Sequence, residues 1–246
     1  MPELTSSQWI WITTAALAIG FSKMGISAVV TMIIPFLAGV FGSRESTGIM
    51  LPLLLVGDVM AVSYYRRSAD WKAIRRLLPW TLAGLAIGAV IGYWVSDRVF
   101  KLILGISVLL CTGLLAFTET RGNRFQVPNA TWFYCLTGIL GGFTTMIGNA
   151  AGPIMSIYLF AMGYQKNNFI GTYAWFFMII NAIKVPLQVF IWHNITTQHA
   201  VLALCLIPII ALGALLGVWV VKRIPEKPFR YLIIVMTGLS AIRLLI

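Results

Sequence analysis

Charge is what this chain has least of. Asp, Glu, Lys and Arg make up 10% of its 246 residues, against 59% hydrophobic residues, where a soluble domain carries about 25% charged residues. That balance, with a mean hydropathy of +0.90, excludes a soluble fold and gives an integral membrane protein with room for seven or eight spans of about 20 residues. Acids are the scarcest charge, seven in the whole chain, and Asp58 alone lies inside an apolar run. Hard cations need several oxygen ligands, so neither a metal-ion transporter nor a bound metal is expected. The two histidines, His193 and His199, share one loop, which leaves no nucleophile, base and orienter set for an intramembrane hydrolase. No enzymatic activity and no cofactor are expected. Cys111, Cys135 and Cys205 sit within apolar runs without Cys-x-x-Cys spacing and read as small buried hydrophobes. No Lys or Arg precedes the apolar stretch after Ser7, so a cleaved signal peptide is not expected.

What is present is a repeat. The apolar run from Ala130 to Gly163 is interrupted by a polar, glycine-rich break, GGFTTMIGNAAGP at Gly141 to Pro153; the run from Trp9 to Phe41 is interrupted likewise by GFSKMGIS at Gly20 to Ser27. Uncoiled backbone in hydrocarbon lacks hydrogen-bond partners and persists only where protein or a polar cavity surrounds it. The third span of each half ends alike, GAVIGYWVSDR at Gly88 to Arg98 and GALLGVWVVKR at Gly213 to Arg223. Gly25 then falls on Gly148, Gly48 on Gly171 and Asp58 on Asn181. The expected organisation is a first transmembrane repeat over 1–117, a cytoplasmic linker over 118–129 and a second repeat over 130–246. Spans are expected at Thr47 to Tyr65, Leu77 to Val95 and Leu102 to Phe117, then near Phe169 to Trp192, Ala200 to Val221 and Tyr231 to Ile246.

Each broken segment has about 33 residues, roughly 50 Å as one helix, too long for a bilayer core of about 30 Å. The expected fold is therefore an all-α polytopic membrane protein of two inverted repeats, each a re-entrant or broken helix hairpin plus three transmembrane helices. Loop charges agree with inversion. Arg66, Arg67, Lys72, Arg75 and Arg76 fill one loop, and the equivalent loop His193 to His199 has no Lys or Arg. With the first loop cytoplasmic, Arg121, Arg124, Lys166, Lys222, Arg223, Lys227 and Arg230 are inside, while Arg44, Arg98, Lys101 and Arg243 are outside, as the positive-inside rule requires. Both termini are then external. The net charge of +11 thus sets orientation, and no nucleic-acid partner is expected.

Converging half-helix N-termini favour anions through their free N–H groups and dipoles. Here the helix starting at Ser27 is expected to face the one whose first turn holds Pro153. Ser22, Thr144, Thr145 and Asn149 offer side-chain hydrogen bonds, and Lys23 and Lys184 lie too deep to snorkel. Such residues are costly and usually face a cavity or a partner, so both lysines are candidate anion contacts and Asp58 a candidate proton or cation coupling site. An Asp58–Lys184 pair is expected across the axis. Pro52, Pro186 and Pro208 fall inside spans as kinks. Gly84, Gly88, Gly92, Gly213 and Gly217 form small-residue faces that suit tight packing within the chain or a homodimer. Trp9, Trp11, Trp80, Trp94, Trp192 and Trp219 are expected at the lipid interfaces.

The two breaks, the run YYRRSADW at Tyr64 to Trp71, and GGFTTMIGNAAGP followed by FIGTYAWFFMIINAIKVP at Phe169 to Pro186 resemble the TauE/SafE family of sulfite-exporter-like anion permeases over nearly the whole chain. The resemblance implies a secondary transporter exporting a small sulfur oxyanion, sulfite or a sulfonate, across a bacterial inner membrane, with the passive anion channel as the rival reading. The positions that match are Lys23, Gly25, Gly148, Asn149, Gly152, Pro153, Asn181 and Lys184. The first break departs from the family's multiple-glycine run, having Met24 and Ile26 around a single Gly25.

Overall fold

An apolar segment in hydrocarbon must satisfy its own backbone, and coiling does so residue by residue. The computed structural model describes residues 4–26, 28–92 and 131–245, with Trp94, Ser96, Val99, Leu102 and Ile106 as isolated positions between them. Among the described residues only helices and turns occur. The first broken segment comprises α1 (Ser6–Lys23) and α2 (Ala28–Phe41), followed by α3 (Ser43–Tyr65) and α4 (Trp71–Ile91). The second comprises α5 (Thr131–Gly148) and α6 (Gly152–Ala161), followed by α7 (Lys166–Phe190), α8 (Thr197–Cys205), α9 (Ile207–Arg223) and α10 (Glu226–Leu245). The expected span at Leu102 to Phe117, the linker and Ser27 lie outside the described residues.

Among the described residues three helices are long and apolar enough to cross a membrane, Arg44–Tyr65, Trp71–Ile91 and Lys166–Phe190; α8 and α9 make a fourth if counted as one span bent by 53°. The expected kink at Pro208 is this bend. The helix stops at Leu206 and restarts with the proline in its first turn, where the missing N–H leaves no bond unmade. Pro52 and Pro186 do lie inside helices.

Glycine lets backbones touch at two helix pairs. A Cβ at Gly84 would strike the Ile139 carbonyl and one at Gly142 the Thr81 carbonyl; with Gly138 against Leu77 and Gly88 against Phe143, α4 runs parallel to α5, and Gly213 against Leu17 with Gly217 against Phe21 sets α9 parallel to α1. α4 thus packs on the second broken segment and α9 on the first. Across the middle, α3 and α7 are antiparallel: Gly48 near the start of α3 meets Asn194 beyond the end of α7, and Gly171 near the start of α7 meets Ser68 beyond the end of α3.

The ends of the molecule differ in charge. Tyr164 donates its hydroxyl hydrogen bond to Asp70, Lys166 Nζ donates to the carbonyls of Val221 and Ile224, and Lys222 Nζ lies 5.6 Å from the Tyr64 ring. One end therefore gathers Arg66, Arg67, Lys72, Lys166, Lys222 and Arg223. At the other end Asn194 Nδ2 donates to the Arg44 carbonyl at 3.1 Å and to Thr47 Oγ1 at 3.2 Å. Trp94 and Trp219 are 83% and 57% exposed on the outer surface, but Trp192 is 6% exposed. It is not an interface anchor: its Nε1 donates to the Ala89 carbonyl at 2.9 Å, so the indole closes the α4–α7 contact.

Candidate functional site

Both breaks open onto one interior cavity. α1 ends at Lys23, and the chain turns through Met24 and Gly25, whose φ of 138° is a conformation L side chains rarely adopt. α5 ends at Gly148, and Asn149 takes φ 56°, the left-handed cap position that asparagine tolerates after glycine. α6 then starts at Gly152 with Pro153 in its first turn and no side chain capping its N–H groups. The cavity is lined on the first-half side by Ser22, Lys23 and Thr31, and on the second by Thr145, Asn149, Gly152 and Asn181, with Tyr173 and Phe177 as aromatic walls. About 20 Å³ is open to a water-sized sphere, room for about one water.

Among the described residues, Lys23, Asp58 and Lys184 are the charged side chains buried in the interior, at 5%, 0% and 0% exposure. Lys23 Nζ pairs with Asp58 Oδ1 at 2.5 Å and sits 4.9 Å from the Phe177 ring centroid. Asn181 Nδ2 donates to the other Asp58 oxygen at 2.6 Å. The expected Asp58–Lys184 pair is therefore corrected: the carboxylate takes Lys23 and its own repeat mate. Lys184 instead donates to Asn149 Oδ1 and to Thr145 Oγ1 at 3.2 Å. The physical reason is the turn at Asn149. It swings the amide oxygen toward Lys184 while Nδ2 donates to the Thr47 carbonyl at 3.3 Å, so a neutral dipole already satisfies this ammonium.

The structure thus brings Ser22, Lys23, Thr145, Asn149, Gly152 and Asn181 to the cavity, with Asp58 and Lys184 directly behind them. Thr144 is turned away, its hydroxyl donating to Leu140 and Gly141 carbonyls of its own helix. Gly25 is packed between Ile170 and Val221, and Gly148 is buried as the last residue of α5. Sequence reasoning missed Thr31, Tyr173 and Phe177, which sit in β-branched and aromatic runs that look like ordinary packing. It also missed Gln188, one turn beyond Lys184, fully buried with neither amide atom finding a partner among the described residues. Among those residues no group of three His, Cys, Asp or Glu could hold a metal ion.

What this arrangement can do chemically is bind. Two ammonium groups, two amides, three aliphatic hydroxyls and uncapped helix N–H groups converge, and no side chain is set up as a nucleophile beside a base. No curated protein and no solved structure matches the chain. A family model described as Sulfite exporter TauE/SafE matches residues 12–244, nearly the full length. With its apolar helices this makes the protein a multi-pass membrane protein, and the chain belongs to the TauE/SafE sulfite exporter family, whose members are transporters rather than enzymes.

Proposed function

We propose that the protein is a secondary transporter of the bacterial inner membrane that exports a small sulfur oxyanion, sulfite or a sulfonate, by alternating access around the Lys23–Lys184 cavity. The observation that carries this reading is the convergence of two buried lysines and an uncapped helix start where both broken segments meet. A buried charge is retained in hydrocarbon only at considerable cost, and here two cations share one cavity with a single acid.

The contact pattern supports two inverted repeats of re-entrant hairpins. α1 runs parallel to α9, which ends among the basic loops, so α1 enters from the opposite end; α2 returns to that end through Gly42 into α3. α5 runs parallel to α4 from the basic end, and α6 returns there at Tyr164. Binding at the point where such hairpins meet is the common plan of secondary transporters, and rocking of one repeat against the other would expose it alternately. The narrowness of the cavity supports a carrier over an open channel. Outward movement of one negative charge gains about 2.3 kcal/mol per 100 mV of inside-negative potential, enough to drive export without a coupled ion. Asp58 is the position through which proton or cation coupling would act; transport independent of pH and sodium removes that role.

The test is uptake of labelled sulfite into proteoliposomes. Saturable flux with trans-stimulation is expected. Lys184→Gln should weaken it by about 10- to 100-fold, the loss of one or two charge-assisted hydrogen bonds to substrate, and Lys23→Gln should weaken it as well. Sulfite that neither moves nor competes removes the substrate class, and single-channel currents would replace the carrier by a channel.

A further inference from the structure

The buried charges do not sum to two cations. Asp58 is ion-paired with Lys23 through one oxygen and accepts from Asn181 Nδ2 at the other. Its charge cancels that of Lys23. Lys184 donates to neutral partners, Asn149 and Thr145, and Asp58, Lys23 and Lys184 are the buried charges among the described residues. With Lys184 as an ammonium, the cavity carries one uncompensated positive charge.

We infer that the site selects its ligand by charge: it takes a singly charged oxyanion, such as hydrogensulfite or a simple alkanesulfonate, and rejects doubly charged ones such as the sulfite dianion, sulfate or a carboxy-sulfonate. This rests on the transport reading above and narrows its substrate. A monoanion bound beside Lys184 brings the buried sum to zero, whereas a dianion leaves a net negative charge in a low-dielectric cavity, the configuration interiors disfavour most. The amide that holds the Lys184 ammonium already donates its Nδ2 to the Thr47 carbonyl, so it has no donor free for a second negative charge. Asp58 is a specificity-determining residue in this scheme, since it sets the charge sum without standing between Lys184 and the ligand.

Methanesulfonate and sulfate make the test, because both are tetrahedral about sulfur and nearly equal in size yet differ by one charge. The experiment is inhibition of labelled sulfite uptake by each, in proteoliposomes of wild type and Asp58→Asn, together with counterflow of labelled methanesulfonate at imposed potentials. Wild type should prefer methanesulfonate over sulfate by about a hundredfold, as expected when one partner meets an uncompensated like charge. Methanesulfonate counterflow should not respond to potential, because the loaded site is neutral. Asp58→Asn, which keeps the shape and raises the sum by one, should shift the preference toward sulfate by about tenfold or more. Equal or better inhibition by sulfate in wild type overturns the inference and leaves the transport reading standing, as does sulfite uptake with which neither anion competes. Absence of sulfite and methanesulfonate flux together overturns the transport reading itself. If Asp58→Asn does not fold, wild-type selectivity and the voltage response still decide.

Discussion

The two breaks occupy matching places and are built differently. In the first, the charged residue belongs to the break itself: Lys23 is the last residue of α1, its ammonium is held by Asp58 of α3, and Gly25 is clamped between Ile170 and Val221. In the second, the break supplies a neutral amide, Asn149, and the lysine comes from the long helix behind it. The repeat mates Asp58 and Asn181 bond to each other across the middle. The lesson is that the two breaks both rest on glycine contacts between helices, while their charges are arranged differently. A symmetric pair of carboxylates would repel each other at the axis, and a symmetric pair of amides would leave Lys23 without a counter-charge.

The sharpest way to break that comparison is to remove the one acid. Asp58→Ala leaves Lys23 buried without a carboxylate and should lower stability by about 3–5 kcal/mol, measured as the thermal midpoint in detergent. Replacing both partners, Lys23→Met with Asp58→Leu, should recover most of that loss, since a buried pair exchanged for hydrophobic groups is often neutral. Equal costs for the single and the double change would mean that the pair contributes packing alone.

Next comes the scaffold, which should behave alike in both halves. Gly142→Ala and Gly213→Ala each place a methyl group against a backbone carbonyl, of Thr81 and Leu17, and each should cost about 1–3 kcal/mol by overpacking. A large cost at one and none at the other would show that the parallel pairs α4–α5 and α1–α9 are not equivalent.

The smallest effect lies at the crossings between α3 and α7. At the basic end Asp70 caps α4, accepting from the N–H groups of Lys72 at 2.8 Å and Ala73 at 3.2 Å, and takes the Tyr164 hydroxyl; at the other end the tie is the neutral Asn194. The Tyr164 hydrogen bond, with the two backbone N–H groups, holds the Asp70 carboxyl below the usual carboxylate range. A depressed folded value means that its stabilisation is present above the ordinary range and lost as pH falls through the folded value. Asp70→Ala should therefore cost about 1 kcal/mol near neutral pH and progressively less in acid. Asn194→Ala should show no such slope. Thermal midpoints of both variants over a pH series check this.

Much of the site was legible before any coordinates. Lys23, Asp58 and Lys184 announce themselves because ionisable groups in apolar runs are costly enough to need a reason, and the breaks do so because backbone cannot stay uncoiled in lipid without one. The carboxylate's partner was not legible. Which lysine Asp58 meets depends on a positive φ at Asn149 and on how α1 ends against α3, neither of which has a periodic signature. Thr31, Tyr173 and Phe177 were hidden for another reason, since aromatic and β-branched residues have the same composition whether they face lipid, a helix or a cavity. Trp192 looked like its exposed counterparts because only a neighbouring carbonyl, that of Ala89, distinguishes a buried indole from an interfacial one.

The sequence by itself determined that this chain is a membrane-embedded helical protein, that two glycine-rich breaks interrupt its apolar runs, and that those runs carry Lys23, Asp58 and Lys184. Those are consequences of hydropathy and of glycine spacing, which act locally along the chain. Tertiary structure decided which lysine is neutralised, which side chains reach the cavity and how little room it leaves. Those depend on contacts between residues 35 to 123 positions apart, set by helix directions and a single left-handed turn. Short-range electrostatics in a low-dielectric interior changes sign over one misplaced side chain, and no linear pattern carries that information.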